Sequence, residues 1–147
     1  MCLLIKNQII LTTNITAYKI CKCTGNPNTF YSLYYNEPYI LGELKSIDKL
    51  NPVIEPLDDK FTVEGDAFHS FADIKTANIW MYQLGHYTDC KACHWTSFLP
   101  TLAIIECTIP KSTSFLYHGV FKDSFGGFSS YASQSIIPQK VVSICSF

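Results

Sequence analysis

From Thr101 to Ile109 the chain reads TLAIIECTI, an almost unbroken apolar run closed by Pro110. A run of this length without a polar stripe predicts a central strand covered on both faces. NITAYKICKC, residues 14–23, follows a different rule. Ile15, Ala17 and Lys19 fall on one face, and Thr16, Tyr18 and Ile20 on the other. Period-two alternation rich in β-formers predicts a second strand. The closing KVVSICSF repeats the style of the first. Helical spacing occurs in SFADIKTANIWMYQLG, residues 70–85, through Ile74, Ala77, Met81 and Leu84. Ser70 is the expected cap of this helix and Gly85 its expected stop. Several strands and one main helix predict an α+β domain with a mainly antiparallel sheet.

Three stretches break these patterns. CTGNPNT, residues 23–29, is dense in turn formers and should join two strands. SIDKLNPVIEPLDDK, residues 46–60, carries two prolines and a charge cluster, which reads as a surface loop. FKDSFGGFSSYASQ, residues 121–134, sets a Gly-Gly pair among aromatics and serines. It lacks the lysine of a phosphate-binding P-loop and reads as a mobile loop before the last strands, a place where ligands are often gripped.

With 147 residues, 48% of them hydrophobic, residues 1–147 fit one domain with a sizeable core. Eleven basic and twelve acidic residues leave a net charge of −1. That balance attracts neither nucleic acid nor an anionic membrane non-specifically, so neither is an expected partner. The opening MCLLIKNQIILTT is interrupted at Lys6 and offers no small-residue cleavage site, so it does not read as a secretory signal. No stretch approaches the roughly eighteen apolar residues of a membrane helix. The expected location is intracellular, in the cytoplasm or within an assembled virus particle. Seven cysteines, an odd number, are then expected to be reduced.

Candidate chemistry centres on YTDCKACHW. Cys90, Cys93 and His94 match a haem-attachment pattern, whose chemistry requires an export route that this chain does not display. Zinc is the better metal reading. Cys21 and Cys23 share one face of their strand, and with Cys90 and Cys93 they would supply four thiolates. Three thiolates with His94 would serve equally. A redox pair would need a strand before the motif and a helix after it. The plainest reading is small buried thiols under His94 and Trp95, with no metal.

His69 and Ser70, in GDAFHSF, stand at an expected strand-to-helix corner. They either face a cleft or simply order and cap the turn. Glu106, inside the apolar strand, either does acid–base work from a buried position or faces outward. No Ser-His-Asp order, paired-carboxylate spacing or H-E-x-x-H is identifiable.

The blocks MCLLIK, ITAYKICK, SLYYNEPYILGELK, EGDAFHSF, AIIECTIPKSTSFLYHG and YASQSIIPQKVVSI cover most of the chain. In them the chain resembles a family of small uncharacterised proteins of gut bacteria, their phages and large DNA viruses. Their order also resembles, more loosely, the mono-ADP-ribosyltransferase layout. There a strand carries a Y-R-type motif, a strand and turn carry F-x-S-x, and a last strand opens on E-x-E. By that resemblance Tyr18-Lys19 stand at the first motif and Phe68-His69-Ser70-Phe71 at the second. Ala132-Ser133-Gln134 stand at the third, where both acids are replaced. An amide at Gln134 cannot stabilise a developing oxocarbenium charge as a carboxylate does.

The resemblance therefore implies an ADP-ribosyltransferase-like fold with a degenerate cleft lined by Tyr18, Lys19, His69, Ser70, Tyr131 and Gln134. Such a module would bind a protein partner or a nucleotide-like small molecule, without catalysis and without a resident cofactor. Two alternatives stand beside it. One is an active NAD-dependent transferase using His69, Ser70 and Glu106. The other is a structural protein of a virus particle, with the weakly charged, aromatic-rich surface as interface.

Overall fold

The fold, a computed structural model, describes residues 3–33, 36–57, 60–63, 67–86, 101–123 and 126–146. The first strands are β1 (Leu3–Gln8), β2 (Ile15–Cys23), β3 (Thr29–Ser32), β4 (Pro38–Ile40) and β5 (Lys45–Ser46). Then come β6 (Ile54–Leu57), β7 (Lys60–Val63), β8 (Phe68–Phe71) and the helix α1 (Ile74–His86). The last four are β9 (Leu102–Ile109), β10 (Leu116–Asp123), β11 (Gly126–Ser133) and β12 (Ser135–Cys145). The strands run in the order β5-β12-β9-β2-β8-β11-β10-β1-β7-β6, with β3 and β4 branching from β2. Every pairing among the described residues is antiparallel. An antiparallel sheet with one helix among the described residues is the α+β architecture that the patterning predicts.

The apolar run becomes β9, held between β2 and β12. Its residues are buried on both faces: Leu102 and Ile104 pack under α1, and Ala103, Ile105 and Cys107 pack on the opposite side. Strand β2 alternates as expected, with Ile20 toward the helix and Ala17 and Cys21 away from it. Its two edges differ. One pairs with β9 along its whole length from Ile15 to Lys22. The other is divided, with Tyr18 opposite Phe71 of β8 and Cys21 to Cys23 opposite β3. The sheet thus forks at β2.

Helix α1 lies over this fork. Ala77, Trp80 and Met81 are buried against Ile20, Phe71, Leu102, Ile104, Phe121 and Phe128. The Trp80 ring sits 5.6 Å from Phe71 and 6.0 Å from Phe121. Burying side chains of this size stabilises by about 1.5–3 kcal/mol each, so the stripe is the main force holding helix to sheet. The helix begins later than the sequence predicts. Ser70 is the third residue of β8, where its backbone belongs to the ladder with β11. Asp73 caps instead: its Oδ1 accepts from Thr76 N at 2.7 Å and its Oδ2 from Thr76 Oγ1 at 2.7 Å. The helix runs to His86, one residue past the expected stop at Gly85.

Of the stretches expected as loops, residues 46–60 are strand in part and residues 121–134 are largely strand. Residues 46–60 contribute to β5, form β6 and begin β7. Pro56 is tolerated because β6 ends the sheet, where a missing N–H leaves no ladder partner unmet. Within residues 121–134, β10 and β11 pair as a hairpin from Leu116↔Ser133 to Asp123↔Gly126. Phe128, Ser130 and Ala132 are buried and alternate with half-buried Ser129 and Tyr131, a period that the Gly-Gly pair obscures.

On the far side of β10, β1 carries an irregularity. Ile5 faces Gly119 and Asn7 faces His118, so Lys6 is passed over. A Cβ at residue 119 would run into the Leu4 carbonyl, so glycine lets β1 come this close. No helix among the described residues is long and apolar enough to cross a membrane.

Candidate functional site

Cross-strand register defines a polar row. Tyr131 stands opposite Ser70, His118 opposite Tyr131 and Asn7 opposite His118. Lys19 follows Tyr18 by one residue and Ser70 precedes Phe71 by one, so in the antiparallel pairing they stand beside each other on one face. Phe71 packs under α1, whereas Phe68 packs with Cys21 and Tyr39 on the other side. Alternation therefore puts Lys19, Ser70, Tyr131, His118 and Asn7 on the face away from the helix, across five strands.

The six residues expected to line one cleft divide accordingly. Lys19, Ser70 and Tyr131 share the row. Tyr18 and His69 point to the helix side of the same strands. Gln134 sits in the corner between β11 and β12, where both its amide nitrogen and its amide oxygen are hydrogen-bonded. Its Nε2 donates to Ile47 O at 2.8 Å, and its Oε1 accepts from Ser114 N at 3.2 Å and Ser135 Oγ at 2.8 Å. It straps the segment around Ile47 to the end of the hairpin.

Lys19 stands at the fork. Its Nζ donates to the His69 carbonyl at 2.8 Å, a side-chain stitch where β8 leaves β2. The buried Tyr39 ring lies 5.1 Å from the Lys19 ammonium and 5.0 Å from that of Lys45. Glu37 pairs with Lys45 at 3.4 Å. Burial pulls the Lys19 pKa below the ordinary lysine value, against the opposing pull of nearby Cys21, Cys107 and Glu37. The thiols respond in the opposite sense. Burial raises Cys21 to about 12 and also lifts Cys107, so both stay protonated and unreactive at neutral pH.

Two buried polar atoms of β8 have no hydrogen-bond partner among the described residues, Ser70 Oγ on the face of Lys19 and His69 Nε2 on the helix side. Each unmet group costs about 1–3 kcal/mol of stability. Burial, with the Lys19 charge second, lowers the His69 pKa to about 3, so its ring is neutral at physiological pH.

At the other end of the row both ring nitrogens of His118 are hydrogen-bonded. His118 Nε2 lies 2.9 Å from Ser129 Oγ and its Nδ1 lies 3.3 Å from Asn7 Oδ1. An amide oxygen only accepts, so Nδ1 carries the hydrogen and Nε2 is left to accept from the serine. The Tyr131 ring packs against the imidazole at 5.5 Å between centroids. Burial first, then the Lys6 charge, lowers the His118 pKa and favours the neutral ring. Asn7, His118 and Ser129 were not singled out from sequence. Alternation in SSYAS would place Ser129 and Tyr131 on one face, but only register brings His118 and Asn7 beside them.

Cys21 and Cys23 are free thiols packed on the same side of β2. Cys90, Cys93 and His94 lie outside the described residues, and among the described ones no group of three His, Cys, Asp or Glu side chains could hold a metal ion. Glu106 is half-buried and pairs across strands with Lys140 at 3.5 Å. No protein-family model matches the chain, and no curated protein or solved structure matches it either.

Proposed function

We propose that the protein is a binding module that takes a nucleotide-like small molecule on the polar row and does not transfer ADP-ribose. The observation that carries this reading is the buried, unpartnered Ser70 hydroxyl, lying between the Lys19 ammonium and the half-buried Tyr131 ring on one face. A ligand oxygen meeting that hydroxyl would recover a lost hydrogen bond. The Lys19 charge suits a phosphate and the Tyr131 ring suits a base. The ADP-ribosyltransferase-like ancestry belongs to the same proposal. The amide of Gln134, which the resemblance aligns with the lost acid, is committed to the Ile47 strap, which fits a lineage that has given up transfer chemistry.

The test is thermal unfolding with ADP-ribose, AMP or NAD added in turn. At a hundredfold excess over Kd a ligand adds about 2.7 kcal/mol of stability, a clear rise in Tm. Lys19→Met and Tyr131→Leu should lose the rise, while Tyr18→Leu, on the opposite face, should keep it. No rise with any of the three, or a rise that survives Lys19→Met, rejects the proposal.

A second reading, a structural part of a virus particle, draws on the β6–β7 hairpin, where Leu57 and Phe61 are 54% and 58% exposed. Co-sedimentation with purified virions at the stoichiometry of a capsid component would support it.

A further inference from the structure

Ser129, His118 and Asn7 lie on three neighbouring strands and form one hydrogen-bonded line on the face away from the helix. We propose that Ser129 is an activated nucleophile that accepts acyl groups from small esters, with His118 as its general base and Asn7 as a positioning residue. The inference goes beyond nucleotide binding and requires neither Lys19 nor Ser70.

Five observations support it. A serine oxygen 2.9 Å from an imidazole nitrogen that can only accept is the arrangement in which the hydroxyl proton has somewhere to go. The other ring nitrogen is oriented by an amide oxygen at 3.3 Å, which fixes the tautomer the base needs. Strand irregularity sets this up: by passing over Lys6, the bulge in β1 brings an amide abreast of His118 where even pairing would bring an ammonium. Gly119, next to His118, admits the bulge because no side chain blocks the Leu4 carbonyl. Finally, Ser129 and His118 are only half-buried, so a small ester can reach the oxygen.

In the acylation step, Ser129 Oγ forms a bond to the ester carbonyl carbon while its proton passes to His118 Nε2. The bond from that carbon to the leaving oxygen then breaks, and the departing alkoxide takes the proton from His118. In the second step water attacks the acyl-serine, giving a proton to the same nitrogen. The carboxylic acid leaves, and the proton returns to Ser129 Oγ. General-base assistance of this kind is worth about 10²–10⁴ in rate.

The test uses the full-length chain and a fluorophosphonate probe, in which the serine oxygen displaces fluoride at phosphorus. Intact mass and peptide mapping should find a single adduct on Ser129, and Ser129→Ala should abolish it. His118→Gln should slow labelling at least 100-fold, with folding checked by circular dichroism. Asn7→Leu should slow it about tenfold, and Asn7→Asp, which keeps the acceptor, should restore it. Hydrolysis of p-nitrophenyl acetate should follow the same order. Absence of an adduct on Ser129 in the folded wild-type chain overturns the proposal. So does labelling at an unchanged rate in folded His118→Gln.

Discussion

The two faces of the same strands differ in how much polar chemistry they carry. Under α1, Phe71, Trp80, Phe121 and Phe128 fill the space with aromatic contacts, and no charge is needed to hold them. On the other face the same strands display Lys19, Ser70, Tyr131, His118 and Asn7, some bonded and one left without a partner. Since β2, β8, β10 and β11 serve both faces, the apolar side fixes the backbone on which the polar side is arranged. The polar row is nevertheless set beside apolar packing of its own, since Ala17, Cys21 and Phe68 of the same strands are buried on that face.

The sharpest way to break that division is to cut into the helix face. Trp80→Ala, at a position only 3% exposed, should cost about 3–5 kcal/mol in denaturant unfolding. Tyr131→Ala on the polar face, where the ring is half-buried, should cost well under half as much. Equal losses would mean that both faces carry the fold.

His69 tests the division through pH. Its pKa is near 3 in the folded chain against an ordinary 6.5, so the unfolded chain binds the extra proton between those values. Stability should therefore fall as pH drops through that window, at up to about 1.4 kcal/mol per unit. His69→Leu should flatten that part of the curve, and a wild-type profile level from pH 6.5 to 4 would refute the assignment.

Smaller effects are expected at the margins. Gln134→Ala removes the strap to Ile47 and Ser114, and should cost about 1–2 kcal/mol and speed amide exchange at Ile47. Glu106→Gln breaks an ion pair whose Lys140 side chain is largely exposed, so its effect on stability should stay below about 1 kcal/mol. A larger loss would make Glu106 part of the polar architecture.

These contrasts also explain what was legible in the chain. TLAIIECTI and the alternating ITAYKICKC announce β9 and β2 because burial on two faces, or on one, writes itself directly into hydrophobic period. The hairpin of β10 and β11 was missed because Gly126-Gly127 and the serines read as turn chemistry, although Phe128, Ser130 and Ala132 keep strict alternation. Likewise, two prolines hid β6, where an edge position makes Pro56 harmless. Of the site, Lys19, Ser70 and Tyr131 were visible as residue types at suggestive places. Which face each one takes depends on the pairing of Tyr18 with Phe71 and of Tyr131 with Ser70. Those are contacts between distant segments, and no local pattern encodes them.

The fork at β2 has a mechanical consequence. With a single register pair joining β2 to β8, main-chain cooperativity stops there, and side chains such as the Lys19 ammonium and the Trp80 indole carry load across the gap. Under gentle denaturation the β12–β9–β2 block and the β8–β11–β10–β1 block should come apart along this line before either unravels. Their protected amides should then report two opening energies rather than one.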